Sequence, residues 1–263
     1  MDTRLTAPDP GAFITNEKAA AMPFTRPRRW VRWLLVTFAV LVVLAVAGPF
    51  IYIHFFNGST PANLSLSPSG TPATTAGGTQ TASTAATTGP VTGTWRVGSG
   101  STVEYRVNEV LLGQNATAVG RTNSVAGHLT IRGTAVTAAA FSVPMDTIHS
   151  DKSQRDAQFD GRIMDVAEYP TGTFTLTSPI ELAPLPASGV IRHYTAYGQL
   201  MLHGTTRAVS FTLSAELKGG HIEVAGDIPV LFADYNIANP SFAGFVTTQD
   251  HGLLEFLLIF SRN

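Results

Sequence analysis

Residues 209–221 read Val-Ser-Phe-Thr-Leu-Ser-Ala-Glu-Leu-Lys-Gly-Gly-His. Val209, Phe211, Leu213, Ala215 and Leu217 alternate with Ser210, Thr212, Ser214, Glu216 and Lys218. Successive strand side chains point to opposite faces, so this period of two marks a strand with one buried and one wet face. Gly219-Gly220 reads as the tight turn of a hairpin, which predicts a return strand from His221.

The same alternation spreads in both directions. Val103, Tyr105 and Val107 alternate with Thr102, Glu104 and Arg106; Phe174 and Leu176 with Thr173, Thr175 and Thr177; Leu200 and Leu202 with Gln199, Met201 and His203. His203-Gly204-Thr205 reads as a second turn. Strands recur without the crossover helices that a parallel sheet requires. The class is therefore all-β and antiparallel, a barrel or a sandwich, over residues 94–263. Two segments break the rhythm. Lys152 to Met164 predicts one short helix, N-capped by Ser150, with Asp151 in its first turn and an interruption near Gly161. Leu253 to Phe260 is apolar on both faces apart from Glu255. Such a strand is covered by the helix, faces an apolar cavity, or lies in an ordinary core.

The rest of the chain is organised by charge. Charged residues make up 13% of it, about half the usual share. Residues 1–33 form a basic tail of net charge +3, and residues 94–263 carry −4. Between Leu34 and Trp95 there is no Asp, Glu, Lys or Arg. Residues 34–56 are apolar and, at about 1.5 Å per residue, reach roughly 34 Å as a helix, enough for a hydrocarbon core of about 30 Å. Arg26, Arg28, Arg29 and Arg32 precede it, which predicts a single-pass transmembrane helix with a cytoplasmic N-terminus and an extracytoplasmic β-domain. Ala45-Val46-Ala47 leaves open a cleaved signal peptide. Residues 57–93 contain 31 Thr, Ser, Gly, Ala or Pro among 37, the composition of a disordered tether. There is no Cys, which excludes disulfides, thiolate zinc sites and thiol catalysis. The domain's negative charge disfavours nucleic acid.

The order of the motifs within the β-domain is specific. A Trp-led first strand (Trp95) is followed by Arg155-Asp156, by Tyr169-Pro170 with Phe174, and by Gly198 through Thr206 in the pattern Gly-x-Leu-x-x-x-Gly-x-Thr. This resembles the YceI-like family, the lipid- or polyisoprenoid-binding proteins of bacteria, across 93–262. Gly100 stands where many members have a His before Ser101, and a second Phe after the helix Phe is replaced around Met164. The resemblance implies an extended, lipocalin-like antiparallel β-barrel with one short helix, whose interior takes an isoprenoid-type lipid as ligand and needs no cofactor. The lining residues expected on this basis are Phe141, Met145, Phe159, Ile163, Met164, Phe174, Leu200, Phe211, Phe232, Phe256 and Phe260, each of which also suits an ordinary core. Arg155 and Asp156 either contact a polar head group at the mouth or hold the helix in place.

Catalysis is not expected. His149, His203 and His251, with Asp146, Asp234 and Asp250, show no metal-ligand spacing, and no nucleophile elbow occurs. The expectation is a membrane-anchored extracytoplasmic lipid-binding protein. The alternative is a surface-displayed interaction or structural module with a solidly packed barrel.

Overall fold

The computed structural model describes residues 29–51, 60–66, 91–111, 113–241 and 246–262. The chain divides into two units, Met1–Ala47 and Gly48–Asn263. In the first, helix α1 begins at Arg29 and runs to Ile51. It starts five residues before the expected span, at the Arg cluster, because nothing between Arg29 and Ala47 breaks a helix. The expected last turn, Tyr52–Phe56, lies outside the described residues, as do residues 1–28. Among the described residues, no helix is long and apolar enough to cross a membrane.

The second unit contains β1 (Gly93–Val97), β2 (Thr102–Leu111), β3 (Gln114–Thr122), β4 (Ala126–Arg132), β5 (Ala135–Pro144), β6 (His149–Ser150), helix α2 (Ser153–Gln158), β7 (Thr171–Leu176), β8 (Ile180–Glu181), β9 (Arg192–Leu202), β10 (Thr205–Lys218), β11 (His221–Leu231), β12 (Val246–Thr248) and β13 (His251–Arg262). All pairings are antiparallel. Eight strands form a closed ring in the order β1-β4-β5-β7-β9-β10-β11-β13, sealed by β1 against β13. Closure removes the edges of these eight strands from the ring itself. The first half of β13 pairs instead with β2, from Leu253↔Arg106 to Leu257↔Thr102, and β2 continues the wall into β3 and β6.

Both expected hairpins form. Lys218 pairs with His221 across Gly219 and Gly220, at φ 57° and 82°. Leu202 pairs with Thr205 across His203 and Gly204, at φ 47° and 69°. These are left-handed conformations that match the right-handed twist of the flanking strands.

The expected helix is shorter than its sequence pattern. It starts at Ser153 with Lys152 as N-cap, and a π-type turn over Phe159–Ile163 follows it. Ser150 is not the cap because it lies in β6. Its N–H and Oγ both donate to Asp156 Oδ1, at 2.8 and 2.6 Å. Gly161 sits inside the π-type turn, at the predicted interruption.

The expected tether is not featureless. Arg106 donates to the Pro61 carbonyl at 3.1 Å, and Asn63 Nδ2 and the Leu64 N–H donate to the two oxygens of Glu255 at 3.0 and 3.1 Å. Leu66 is buried. Residues 60–66 therefore lie on the outer face of the β2–β13 wall, which resolves the two-faced apolar pattern of β13. Its Leu254, Phe256, Leu258 and Phe260 face inward, and this segment, not the helix, bonds to the outer face at Glu255. Residues 67–90 lie outside the described residues.

Beneath the segment is a charge cluster. Glu104 and Glu255 are opposed across the β2–β13 register. Arg106 bridges them at 2.6 and 3.2 Å, and Arg121 takes the second oxygen of Glu104 at 2.5 Å. Burial pushes the Glu255 carboxyl above its usual range, against the opposing pull of the Leu64 N–H and Arg106. An acid whose folded-state pKa is raised takes up its proton in the folded state first, so its contribution to stability improves as pH falls through that raised value. Comparing urea unfolding of the wild type and Glu255→Gln at pH 7 and pH 5 isolates this group. The wild type is expected to gain stability relative to the variant at pH 5.

Candidate lipid-binding cavity

The barrel is hollow. The space within its walls, with solvent at the opening included, is about 1520 Å³. The wall is largely apolar because β4, β5, β7, β9, β10, β11 and β13 turn their hydrophobic sets inward, with Glu216 and Glu255 the acidic residues that border it. β9 contributes Ala196, Leu200 and Leu202; β10 contributes Phe211, Leu213, Ala215 and Leu217.

A wall this rich in Phe would ordinarily fill its own lumen. It does not, because the rings lie flat over glycines on neighbouring strands. Phe141 is paired in register with Gly127, Phe256 with Gly226 and Tyr105 with Gly120. A Cβ on any of these glycines would run into the facing ring. The Phe174 ring covers Gly198 in the same way, and the Tyr169 ring covers Gly204. The Tyr-Pro-x-x-x-Phe and Gly-x-Leu-x-x-x-Gly-x-Thr motifs are thus two halves of one contact. The rings of Phe260, Phe141, Phe174, Phe211 and Phe256 follow one another at centroid distances of 5.5–6.3 Å, forming a belt around the lumen. Gly198→Ala pushes into both the Phe174 ring and the Thr175 carbonyl. It is expected to cost about 1–3 kcal/mol, read by chemical unfolding.

Of the residues singled out by sequence, Phe141, Met145, Phe174 and Leu200 line the cavity, as do Phe211, Phe256 and Phe260. Phe159, Ile163, Met164 and Phe232 do not. Phe159 stacks on Tyr105 at 5.0 Å and 12°, and with buried Met164 it belongs to the packed core at the helix end. Burial pushes the Tyr105 phenol well above its usual range. Phe232 lies in the 3₁₀ turn after β11, also buried.

Arg155 and Asp156 have protein partners. Arg155 reaches Glu109 on β2 at 3.4 Å and pairs with Asp151; Asp156 binds Ser150 and lies 3.6 Å from His149. These contacts fasten α2 to β2 and β6. The histidines are dispersed. His203 Nδ1 meets the Tyr235 carbonyl at 3.2 Å and its ring meets Tyr169 edge-on, while His251 pairs with Asp250 at 2.7 Å. Among the described residues, no group of three or more His, Asp or Glu could hold a metal ion.

Sequence reasoning did not find the opening. Leu182, Leu185 and Pro186 line the cavity at the end away from α2, and Leu185 is 45% exposed. The loop carrying them crosses the barrel end. The Leu182 N–H donates to Thr134 in the β4–β5 turn, and the Gly189 N–H and Ser188 Oγ donate to the Leu217 carbonyl near the end of β10. The irregular, Pro-containing sequence of 183–191 gives no periodic signal by which to foresee this.

A model of the YceI-like domain matches residues 95–260. Among solved structures, a polyisoprenoid binding domain from Saccharophagus degradans, implicated in plant cell wall breakdown, superposes with a TM-score of 0.55 at 16% identity. The match covers 65% of this chain and 99% of that one. BcnA of Burkholderia cenocepacia matches at a TM-score of 0.49 and 17% identity, over 60% and 95%. No curated protein matches. With the barrel and the paired motifs in place, the match over 95–260 makes this chain a member of the YceI-like domain family.

Proposed function

We propose that the protein binds a long-chain, isoprenoid-type lipid inside its barrel and is held at a membrane by its N-terminal helix with the β-domain extracytoplasmic. The hollow apolar lumen carries this reading. Burial is worth about 25 cal/mol per Å² of apolar surface, so a multi-isoprene chain binds here by water exclusion alone, with no bond chemistry. The description of the S. degradans domain as polyisoprenoid binding supports the same ligand class. A packed interaction module would need a filled interior, the opposite of what the belt and glycine pairs produce. Displacement of an apolar fluorophore by a polyprenol tests the binding, with saturable displacement expected; no displacement at any polyprenol concentration would contradict it.

The anchoring rests on sequence. The uncharged run of 34–56 follows four arginines, and no basic residue follows it before Arg96. Protease added to intact cells is expected to remove the β-domain. Full protection, or recovery of the chain in the soluble fraction, would contradict the anchor.

A further inference from the structure

The two ends of the barrel differ in surface chemistry. From Leu182 to Ile191 the loop across the open end reads Leu-Ala-Pro-Leu-Pro-Ala-Ser-Gly-Val-Ile, without a charge. Leu185 and Val190 are exposed there, as are Ala183, Pro184 and Ala187. The loop does not fold these side chains away, because bonds from Leu182, Ser188 and Gly189 pin it to the β4–β5 turn and to β10. The other large hydrophobics exposed among the described residues of the β-domain are Val110, Tyr197 and Leu231, each on a separate strand.

Charge divides in the same sense. Arg132 at the end of β4, Arg192 at the start of β9, Lys218 at the end of β10 and Arg262 at the end of β13 stand around the opening. The acidic residues near them are Glu181, Glu223 and Glu216. Glu223 pairs with Lys218 at 3.6 Å, and Glu216 is buried and borders the cavity. The α2 end holds nine acidic residues, six of them between Asp146 and Glu168, against four basic ones. The strands between carry three of each sign. The negative charge of the domain therefore resides at the α2 end, and the opening is the end with a basic excess.

We propose that the open end is a membrane-docking surface, where the loop 182–191 seats its exposed apolar side chains in an anionic bilayer and the basic rim meets the lipid phosphates. Apolar side chains flanked by basic ones suit the boundary between head groups and acyl chains, and exposed apolar side chains grouped within a polar rim mark an interaction site. Leu185 both lines the lumen and reaches the surface. A docked loop therefore lets an apolar chain pass between bilayer and lumen without crossing water. The docking deepens the lipid-binding reading and rests on it for its purpose, and the two are tested apart.

The chain has no Cys, so a single introduced one reports its own position. The full chain, as Ala187→Cys on the loop or Ala167→Cys at the α2 end, is labelled with nitrobenzoxadiazole. It is reconstituted into phosphatidylcholine–phosphatidylserine vesicles that contain a doxyl-lipid quencher. Quenching is expected at position 187 and not at position 167. Each basic side chain near an anionic surface is worth about fivefold, so Arg132→Gln combined with Arg192→Gln is expected to weaken docking by about 25-fold. Val190→Asp is expected to abolish docking while polyprenol displacement in detergent stays at the wild-type level, because Val190 is not part of the cavity lining. No quenching at position 187, equal quenching at both positions, or quenching unchanged by Val190→Asp or by the two arginine replacements would overturn the docking surface. A disulfide-linked dimer of unlabelled Ala187→Cys in place of quenching would put a second copy on the loop and overturn it as well. Quenching as expected, with no polyprenol displacement in the wild type, would instead overturn the carrier reading and leave the docking surface standing.

Discussion

Replacing Glu104 by alanine is expected to destabilise the β-domain by about 3–5 kcal/mol, a large part of the roughly 5–15 kcal/mol typical of a folded domain. Glu104 is 0% exposed. Its two oxygens are taken by Arg106 at 2.6 Å and Arg121 at 2.5 Å. Arg106 is almost as buried as its partner, so removing the carboxylate leaves a guanidinium in the wall with only Glu255 to compensate it. Glu104→Gln keeps the shape and is expected to cost less. The effect is read by urea unfolding, and a cost below about 0.5 kcal/mol for the alanine variant, the scale of an ordinary surface change, would show that the cluster is solvated rather than structural.

Ala215→Trp is expected to lower ligand binding by about tenfold or more, the equivalent of 1.4 kcal/mol. Ala215 lies on the lumen face of β10 and is only half-buried, so there is open space in front of it. An indole there occupies volume that the ligand needs, while the strand pairing with Val224 and Arg192 is untouched. Stability should change little. Undiminished binding in a folded variant would place the ligand outside the barrel.

Much of the fold was legible in the sequence, because a sheet with one wet face writes itself as alternation. β2, β7, β9 and β10 follow directly from it, and the two turns follow from glycines that tolerate positive φ. The cavity was legible only in part. Alternation identifies which Phe points inward but not whether it fills the lumen. That depends on a glycine one strand away, such as Gly226 for Phe256, a pairing known only once the register is fixed. Phe159 and Met164 were misplaced for the same reason. Phe159, in the turn after the helix, does point inward, but there it stacks on Tyr105. The bonding of Pro61, Asn63 and Leu64 to the charge cluster had no periodic signal, since a short extended segment is specified by its partners Glu255 and Arg106 rather than by its own composition.

The central claim is that the barrel encloses a long apolar chain. The direct measurement is organic extraction of the chain purified from a lipid-replete host, followed by mass spectrometry of the extract. Prenyl lipid at near-stoichiometric amounts, absent from the Ala215→Trp extract, is the result expected. An extract without lipid, or with equal lipid from both proteins, would contradict the account.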